Sequence, residues 1–262
     1  MNSYSIRDKR PNVTDPGRVI AHRGASRVAP ENTLSAFREA DRQGVWWVEF
    51  DVSLLGDATP VVHHDATLDR CTSGTGSLAA INVDALAGVE AGTAHGDSFR
   101  GEPLPTLAQA LDLLDEQRFY ANLEMKPHDG DPAELAAVVA QHLRARPWTD
   151  HRIITSSFDI PALEAFRAEM PDAPLAVLYE TPPPDWRHVL ERLNAAALHL
   201  DYKAITQSLL VEARSFGFDV RVYTINQPQL MERFRDHGLT SVITDHPPLF
   251  LDLPEWAAWA ET

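Results

Sequence analysis

Glu49 and Asp51 stand two apart within the apolar run Trp46 to Val52, and Glu124 and Lys126 repeat that spacing at the end of Tyr120 to Met125. Residues two apart on a strand project to the same face, so each pair shares one side. Charged groups embedded in apolar strands are costly unless paired or metal-bound. With both pairs turned to one interior, three carboxylates converge near one amine. Like charges at such range repel, and a divalent cation between them relieves the repulsion. A ligand set of oxygens alone favours Mg²⁺, Ca²⁺ or Mn²⁺ over zinc. Ion pairing to Arg and Lys on a rim would account for any one Glu-x-Asp. The joint placement of the two pairs favours one bound cation.

Two histidines follow strand-like segments. His22 closes the first, and His64 follows the short extended segment Pro60 to Val62. An imidazole titrates near neutrality and can both take and return a proton. A pair of them suits a reaction that deprotonates one oxygen and protonates another, as phosphodiester cleavage does. On an extended chain His63 points opposite to His64 and reads as packing. The other eight histidines, such as His128, His151 and His188, lack metal-type spacing and default to the surface.

The elements that must position these groups alternate. Strand-like runs occupy Arg18 to Ala21, Trp46 to Val52, Tyr120 to Met125, Arg152 to Thr155, Leu175 to Tyr179, Ala197 to Leu200, Val220 to Ile225 and Ser241 to Thr244. Amphipathic helical stretches lie at Thr33 to Gln43, Thr106 to Glu116, Pro132 to Arg144, Ile160 to Glu169, Asp185 to Leu193, Thr206 to Phe216 and Gln227 to His237. Gly44, Gly217 and Gly238 each fall where a C-terminal cap is needed. This alternation predicts a parallel sheet with right-handed crossovers, and eight strands in 262 residues suit an α/β fold of the TIM (β/α)8 barrel type. A doubly wound open sheet is the competing architecture. Residues 66–105 interrupt the rhythm and read as a short insertion after the second strand, with a short helix near Asn82 to Leu86. The chain reads as one domain over 1–262.

A formal net charge of −15 without a basic run argues against nucleic acid or an anionic membrane surface as a partner. The single cysteine, Cys71, excludes an intramolecular disulfide. Met1 to Gly17 is polar and lacks the apolar stretch of a signal peptide, and no run approaches the length of a membrane helix. The expectation is a cytoplasmic protein with no stable membrane association. The oligomeric state is left open.

Arranged in order, His22-Arg23-Gly24, Pro30-Glu31-Asn32-Thr33, Glu49-x-Asp51, His64-Asp65 and Leu68-x-Arg70 form a series. It continues through Thr72-x-Gly74-x-Gly76, Gly101-Glu102-Pro103-Leu104-Pro105-Thr106-Leu107, Glu124-x-Lys126, Ser156-Ser157-Phe158, Tyr223-Thr224-Ile225-Asn226 and Ile243-Thr244-Asp245-x-Pro247. The series resembles the glycerophosphodiester phosphodiesterases, most closely the bacterial cytosolic members, from about Val19 to Pro247.

The resemblance implies a TIM barrel and a metal-dependent hydrolase releasing sn-glycerol 3-phosphate and an alcohol from a small glycerophosphodiester. It places His22 and His64 as general acid and base, and Glu49, Asp51 and Glu124 as metal ligands. Arg23 and Lys126 become phosphate-contacting cations, while Glu31 and Asn32 shape the site. Asn32 and Thr33 are equally suited to capping a helix. Two residues depart from the usual pattern. His63 stands where an apolar or aromatic residue is common, and Tyr223 stands for a frequent Trp where the glycerol or alcohol would be met. A lysophospholipase D-type activity would need an apolar mouth, for which Pro254 to Trp259 is the candidate segment. A catalytically silent binder of phosphorylated polyols is the other alternative.

Overall fold

The computed structural model describes residues 19–251. Nine strands and seven α-helices are found there: β1 (Val19–His22), α1 (Leu34–Arg42), β2 (Trp47–Leu54), β3 (Pro60–Val62), α2 (Leu107–Glu116), β4 (Tyr120–Met125), α3 (Pro132–Arg144) and β5 (Ile153–Ser157). They continue with α4 (Ile160–Glu169), β6 (Leu175–Tyr179), α5 (Trp186–Leu193), β7 (Ala197–Asp201), α6 (Gln207–Ser215), β8 (Asp219–Tyr223), β9 (Ser241–Thr244) and α7 (Pro248–Leu251). Eight strands pair in parallel in the order β1-β9-β8-β7-β6-β5-β4-β2, and β1 returns to β2 through Ala21 opposite Val48 and His22 opposite Glu49. That pairing closes the sheet. The architecture is the TIM barrel, and the open doubly wound alternative is excluded by the β1–β2 closure.

Local chemistry explains the boundaries. Thr33 caps α1 by accepting from the Ala36 N–H, Asp131 caps α3 ahead of Pro132, and Thr106 with Gln109 forms a reciprocal capping box on α2. The Pro228–His237 segment winds as 3-10 turns rather than as an α-helix, with the Leu230 N–H donating to the Gln227 carbonyl three residues back. Segment Pro254 to Trp259 lies outside the described residues.

Helix faces pack on the outer barrel surface around Phe37, Phe50, Leu111, Phe119 and Phe166. Inside the barrel a smaller apolar set holds Ile20, Trp47, Ile154, Ala176, Ala197 and Ile243. Polar residues share that interior. Arg221 lies over the Trp47 ring at 5.1 Å, and its register neighbours His199 and Ser241 are fully buried. His199 therefore departs from the surface position expected of it. Strand β7 is buried on both faces at Ala197 to Leu200, so no polar alternation distinguishes the inward side. Burial, then the nearby Arg221 charge, push the His199 imidazole well below its usual range and keep it neutral.

Residues 66–105 carry four short 3-10 segments, including Val83–Gly88 where a short helix is expected. Leu68, Leu78, Leu86, Ala91 and Leu104 pack with Leu55 and Val61 as a satellite of the barrel core. Glu102 anchors the insertion to α1, accepting from the Ser35 N–H at 3.0 Å and the Ser35 hydroxyl at 2.5 Å.

The turn after β1 is tightly constrained. Arg23 has φ 56° and Gly24 φ 80°, and a Cβ on Gly24 would lie 2.6 Å from the Ala36 Cβ and 2.7 Å from its carbonyl carbon. Both the left-handed backbone and the close approach of α1 require glycine. Gly24→Ala is expected to lower unfolding free energy by about 2 kcal/mol or more. Denaturant titration checks this, and an unchanged midpoint would mean that α1 retreats without cost.

Candidate active site

The C-terminal ends of β1, β2 and β4 bring the expected charged residues together. Glu49, Asp51 and Glu124 each offer a carboxylate oxygen within 4.8 Å of the others, and all three are buried. Register accounts for this: Asp51 pairs with Glu124 across β2 and β4, and Glu49 pairs with His22 across β2 and β1. Lys126 Nζ lies 2.5 Å from Glu124 and 3.7 Å from Asp51. Arg23 Nε is 3.3 Å from Asp51, and the Arg23 backbone N–H donates to Glu49 at 3.1 Å.

Asn32 and Thr33, indistinguishable as caps in the sequence, have separate tasks. Thr33 caps α1. Asn32, at φ 59°, donates its amide to Asp51 Oδ2 at 2.9 Å and accepts the Asp51 N–H at 3.2 Å. It holds the carboxylate through both ends of the residue.

Each candidate histidine rests on a carboxylate. His22 Nδ1 is 2.6 Å from Asp245 Oδ1, while its Nε2 lies 3.8 Å from Glu49. His64 Nδ1 is 2.6 Å from Asp65 Oδ1. Burial pushes the Asp245 carboxyl up, but bonds from His22, Asn226 and Ser26 outweigh it and hold the group at about 2. Asp65 is likewise held below the usual range, burial being outweighed by Arg70 and His64. Both acids are thus ionised acceptors, so each Nδ1 carries the proton and each Nε2 is left as an acceptor.

The Asp65 carboxylate is gripped by Arg70, whose Nε donates at 2.6 Å. Arg70 also makes a bidentate pair with Glu31 at 2.7 Å and 2.7 Å, and Glu31 accepts from Arg23 at 2.7 Å. A continuous chain of charges therefore runs from His64 through the insertion and back to the barrel loop carrying Arg23. His63, buried, turns away from His64 and bonds the Thr67 carbonyl through Nε2 at 2.9 Å. Tyr223 stands at the end of β8, edge to face with Phe158 at 5.8 Å, and Lys126 Nζ sits 5.4 Å over the Phe158 ring. The Tyr223 hydroxyl has no hydrogen-bond partner.

Every residue of this constellation lies inside residues 22–249, the span matched by the Glycerophosphoryl diester phosphodiesterase family. The chain belongs to that family. A glycerophosphodiester phosphodiesterase of Caldanaerobacter subterraneus subsp. tengcongensis is 31% identical over 239 residues, covering 90% of this chain and 96% of the relative. Among solved structures, an Oleispira antarctica phosphodiesterase in complex with the product sn-glycerol-3-phosphate superimposes with a TM-score of 0.85 at 34% identity, over 89% of this chain and 94% of its own. A glycerophosphodiester phosphodiesterase from Agrobacterium tumefaciens gives 0.74 at 26% identity, over 90% and 99%. Members of the family hydrolyse glycerophosphodiesters, and the chain is accordingly a phosphoric diester hydrolase. No helix among the described residues is long and apolar enough to cross a membrane.

As a phosphodiesterase site, the carboxylate cluster suits a divalent cation on its own chemistry. Glu49 Oε1 is buried without a hydrogen-bond donor, an arrangement that is costly for an ionised oxygen unless a cation meets it. Burial, then Asp51 and Glu124, push the Glu49 carboxyl well above its usual range. Burial and Asp51 raise Glu124 to about 7 against the pull of Lys126. Asp51 alone of the three is held low: burial opposes ionisation, and Arg23, Lys126 and His64 overcome it.

Asp245, Asp65 and Arg70, which hold the two histidines in place, had no assigned role in the sequence. Asp65 adjoins His64 and Asp245 follows a strand end, the two signals that were legible. What Asp245 grips is set by strand closure across 223 residues.

The raised acids have a measurable consequence without cation. A carboxyl raised in the folded state binds its proton more tightly there than in the unfolded chain. For Glu124 the stability from that proton is full below about pH 4.5 and is lost as the pH rises through about 7, and Glu49 acts in the same direction. Asp51 and Asp245 act oppositely, with stability present above about pH 4 and lost only in stronger acid. In EDTA the melting temperature is therefore expected to fall by several degrees between about pH 5.5 and about pH 8. Millimolar Mg²⁺ or Ca²⁺ should raise it more at the upper pH than at the lower. A cation shift independent of pH would remove these acids from the ligand set.

Proposed function

We propose that this phosphodiesterase cleaves small glycerophosphodiesters to sn-glycerol 3-phosphate and an alcohol, with His22 and His64 exchanging the protons. The observation that carries the reading is the pair of carboxylate-held imidazoles flanking one buried cluster of three acids. The product named for the Oleispira antarctica relative supports the same products here.

Glu49, Asp51 and Glu124 would hold one divalent cation, Mg²⁺ or Ca²⁺, with Mn²⁺ as a third candidate, since all the donors are hard oxygens. The bound cation would neutralise phosphate charge and acidify a coordinated hydroxyl. Arg23 and Lys126 supply fixed positive charge for the phosphate. Burial lowers both groups, but Asp51 and Glu31 around Arg23 and Glu124 and Asp51 around Lys126 raise them further, so both stay charged. One imidazole removes the proton of the attacking hydroxyl, and the other protonates the departing alcohol. Burial, with Arg23 and Lys126, holds His64 below its usual range despite Asp51, which keeps its Nε2 free to take a proton near neutrality. The attacking hydroxyl is either the neighbouring glycerol hydroxyl, giving a cyclic phosphate that water opens, or water itself. Both routes end in the same products.

Tyr223 and Phe158 form an aromatic wall suited to the carbon face of glycerol. Residues 66–105 serve the same site through Arg70, which grips Asp65 at its edge, so the chain works as one domain.

Metal-stripped protein should release glycerol 3-phosphate from glycerophosphoethanolamine, glycerophosphocholine or glycerophosphoglycerol once cation is restored, and release none in EDTA. His22→Ala and His64→Ala should each keep the fold and lose roughly 10²–10⁴-fold in turnover. Near-normal turnover in either variant would end that residue's assignment, and folded wild-type protein inert under every cation would end the reading.

A further inference from the structure

Beneath the carboxylate cluster the barrel interior holds a second polar layer that the reaction does not use. Trp47 stands two residues before Glu49 on β2, Asn122 two before Glu124 on β4, and Arg221 two before Tyr223 on β8. The two-residue period of a strand turns each of them to the same inner side as the site residue above it. His199 on β7 and Ser241 on β9 are the register neighbours of Arg221. All five residues are buried.

This layer is rich in donors that meet nothing. Arg221 Nε and Nη1, Trp47 Nε1, the Asn122 amide nitrogen, the Ser241 hydroxyl and both ring nitrogens of His199 have no hydrogen-bond partner among the described residues. Buried polar groups left so are rare and costly. The layer also carries a charge. Burial lowers the Arg221 guanidinium to about 10 against the pull of Asp219, so it is still a cation at neutral pH. Asp219, partly exposed and two residues earlier on β8, makes no hydrogen bond to Nε or Nη1. The Trp47 ring lies against the guanidinium at 5.1 Å, and a ring face attracts a cation without neutralising it.

The geometry points to a binding site for a small monovalent anion, a halide such as chloride, inside the barrel between Arg221, Trp47 and His199. Water would meet the same hydrogen bonds but would leave the buried guanidinium charge uncompensated, and such a charge is strongly destabilising. None of the five side chains is an acid, so the layer offers an anion one full positive charge and no repelling partner within it. Space comes from Ala176 and Ala197, paired side by side on β6 and β7 in the interior, where barrels of this type usually carry bulky branched residues. An anion there would join β2, β7, β8 and β9 through their side chains under the catalytic layer.

The test uses the full chain loaded with magnesium gluconate, purified and crystallised in sodium bromide. Anomalous diffraction should show bromide between Arg221, Trp47 and His199. Ordered water alone at that place, or bromide only beside Arg23 and Lys126 or on the surface, would overturn the site. In solution, replacing gluconate by bromide at fixed ionic strength should shift the wild-type melting temperature upward relative to the shift in Arg221→Met by about 3 °C or more. Equal shifts in the two proteins would also overturn it. If Arg221→Met does not fold, the diffraction result decides.

Discussion

The crowding of three carboxylates at the mouth of the barrel is the constraint around which the rest of the site is arranged. Glu49, Asp51 and Glu124 are buried within 4.8 Å of one another, where solvent cannot screen their repulsion. Arg23 and Lys126 offset part of it, and the remainder appears in the raised carboxyls of Glu49 and Glu124. A bound cation would answer the residual charge and the unpartnered Glu49 oxygen together. Asp51, held low by its cationic neighbours and gripped by Asn32, is the fixed point of the cluster.

Around that centre the polypeptide invests heavily in orientation. Both imidazoles are tied at Nδ1 to acids kept ionised by other donors, so each presents the same nitrogen. The arrangement uses chain segments that are remote in sequence. Asp245 comes from the turn after β9, with Asn226 and Ser26 as its supports. Asp65 is braced by Arg70 from the insertion, which also binds Glu31. The insertion therefore works as a clamp on the barrel mouth, its apolar satellite cluster and the Glu102–Ser35 contacts securing it to β3 and α1. Strained left-handed backbone at Arg23, Asn32 and His128 falls beside the same centre, where surrounding contacts can hold it.

Much of this was legible in the residues. Embedded acids in apolar runs marked the inward faces of β2 and β4, because a two-residue period reports sidedness directly. The glycine caps at Gly44, Gly217 and Gly238 all adopt positive φ, as a helix-to-strand turn demands. Strand β3 coincides with the extended segment before His63. Less legible was the barrel interior. His199 and Arg221 sit in strands buried on both faces, and a charge there looks no different in sequence from one on a rim.

The amino-acid sequence by itself determined the alternation of strands and helices, the caps that end them, and the residue types able to hold a cation and move protons. Those properties are local, set by side-chain period, backbone freedom and intrinsic acidity. Only the tertiary structure decided which of these groups meet. Closure of β1 on β2 and β9 places His22 between Glu49 and Asp245, and the insertion brings Arg70 against both Asp65 and Glu31. Asn32 became a carboxylate clamp and Thr33 a helix cap for the same reason. A hydrogen bond spanning two hundred residues depends on strand register and barrel closure, which are properties of the whole chain.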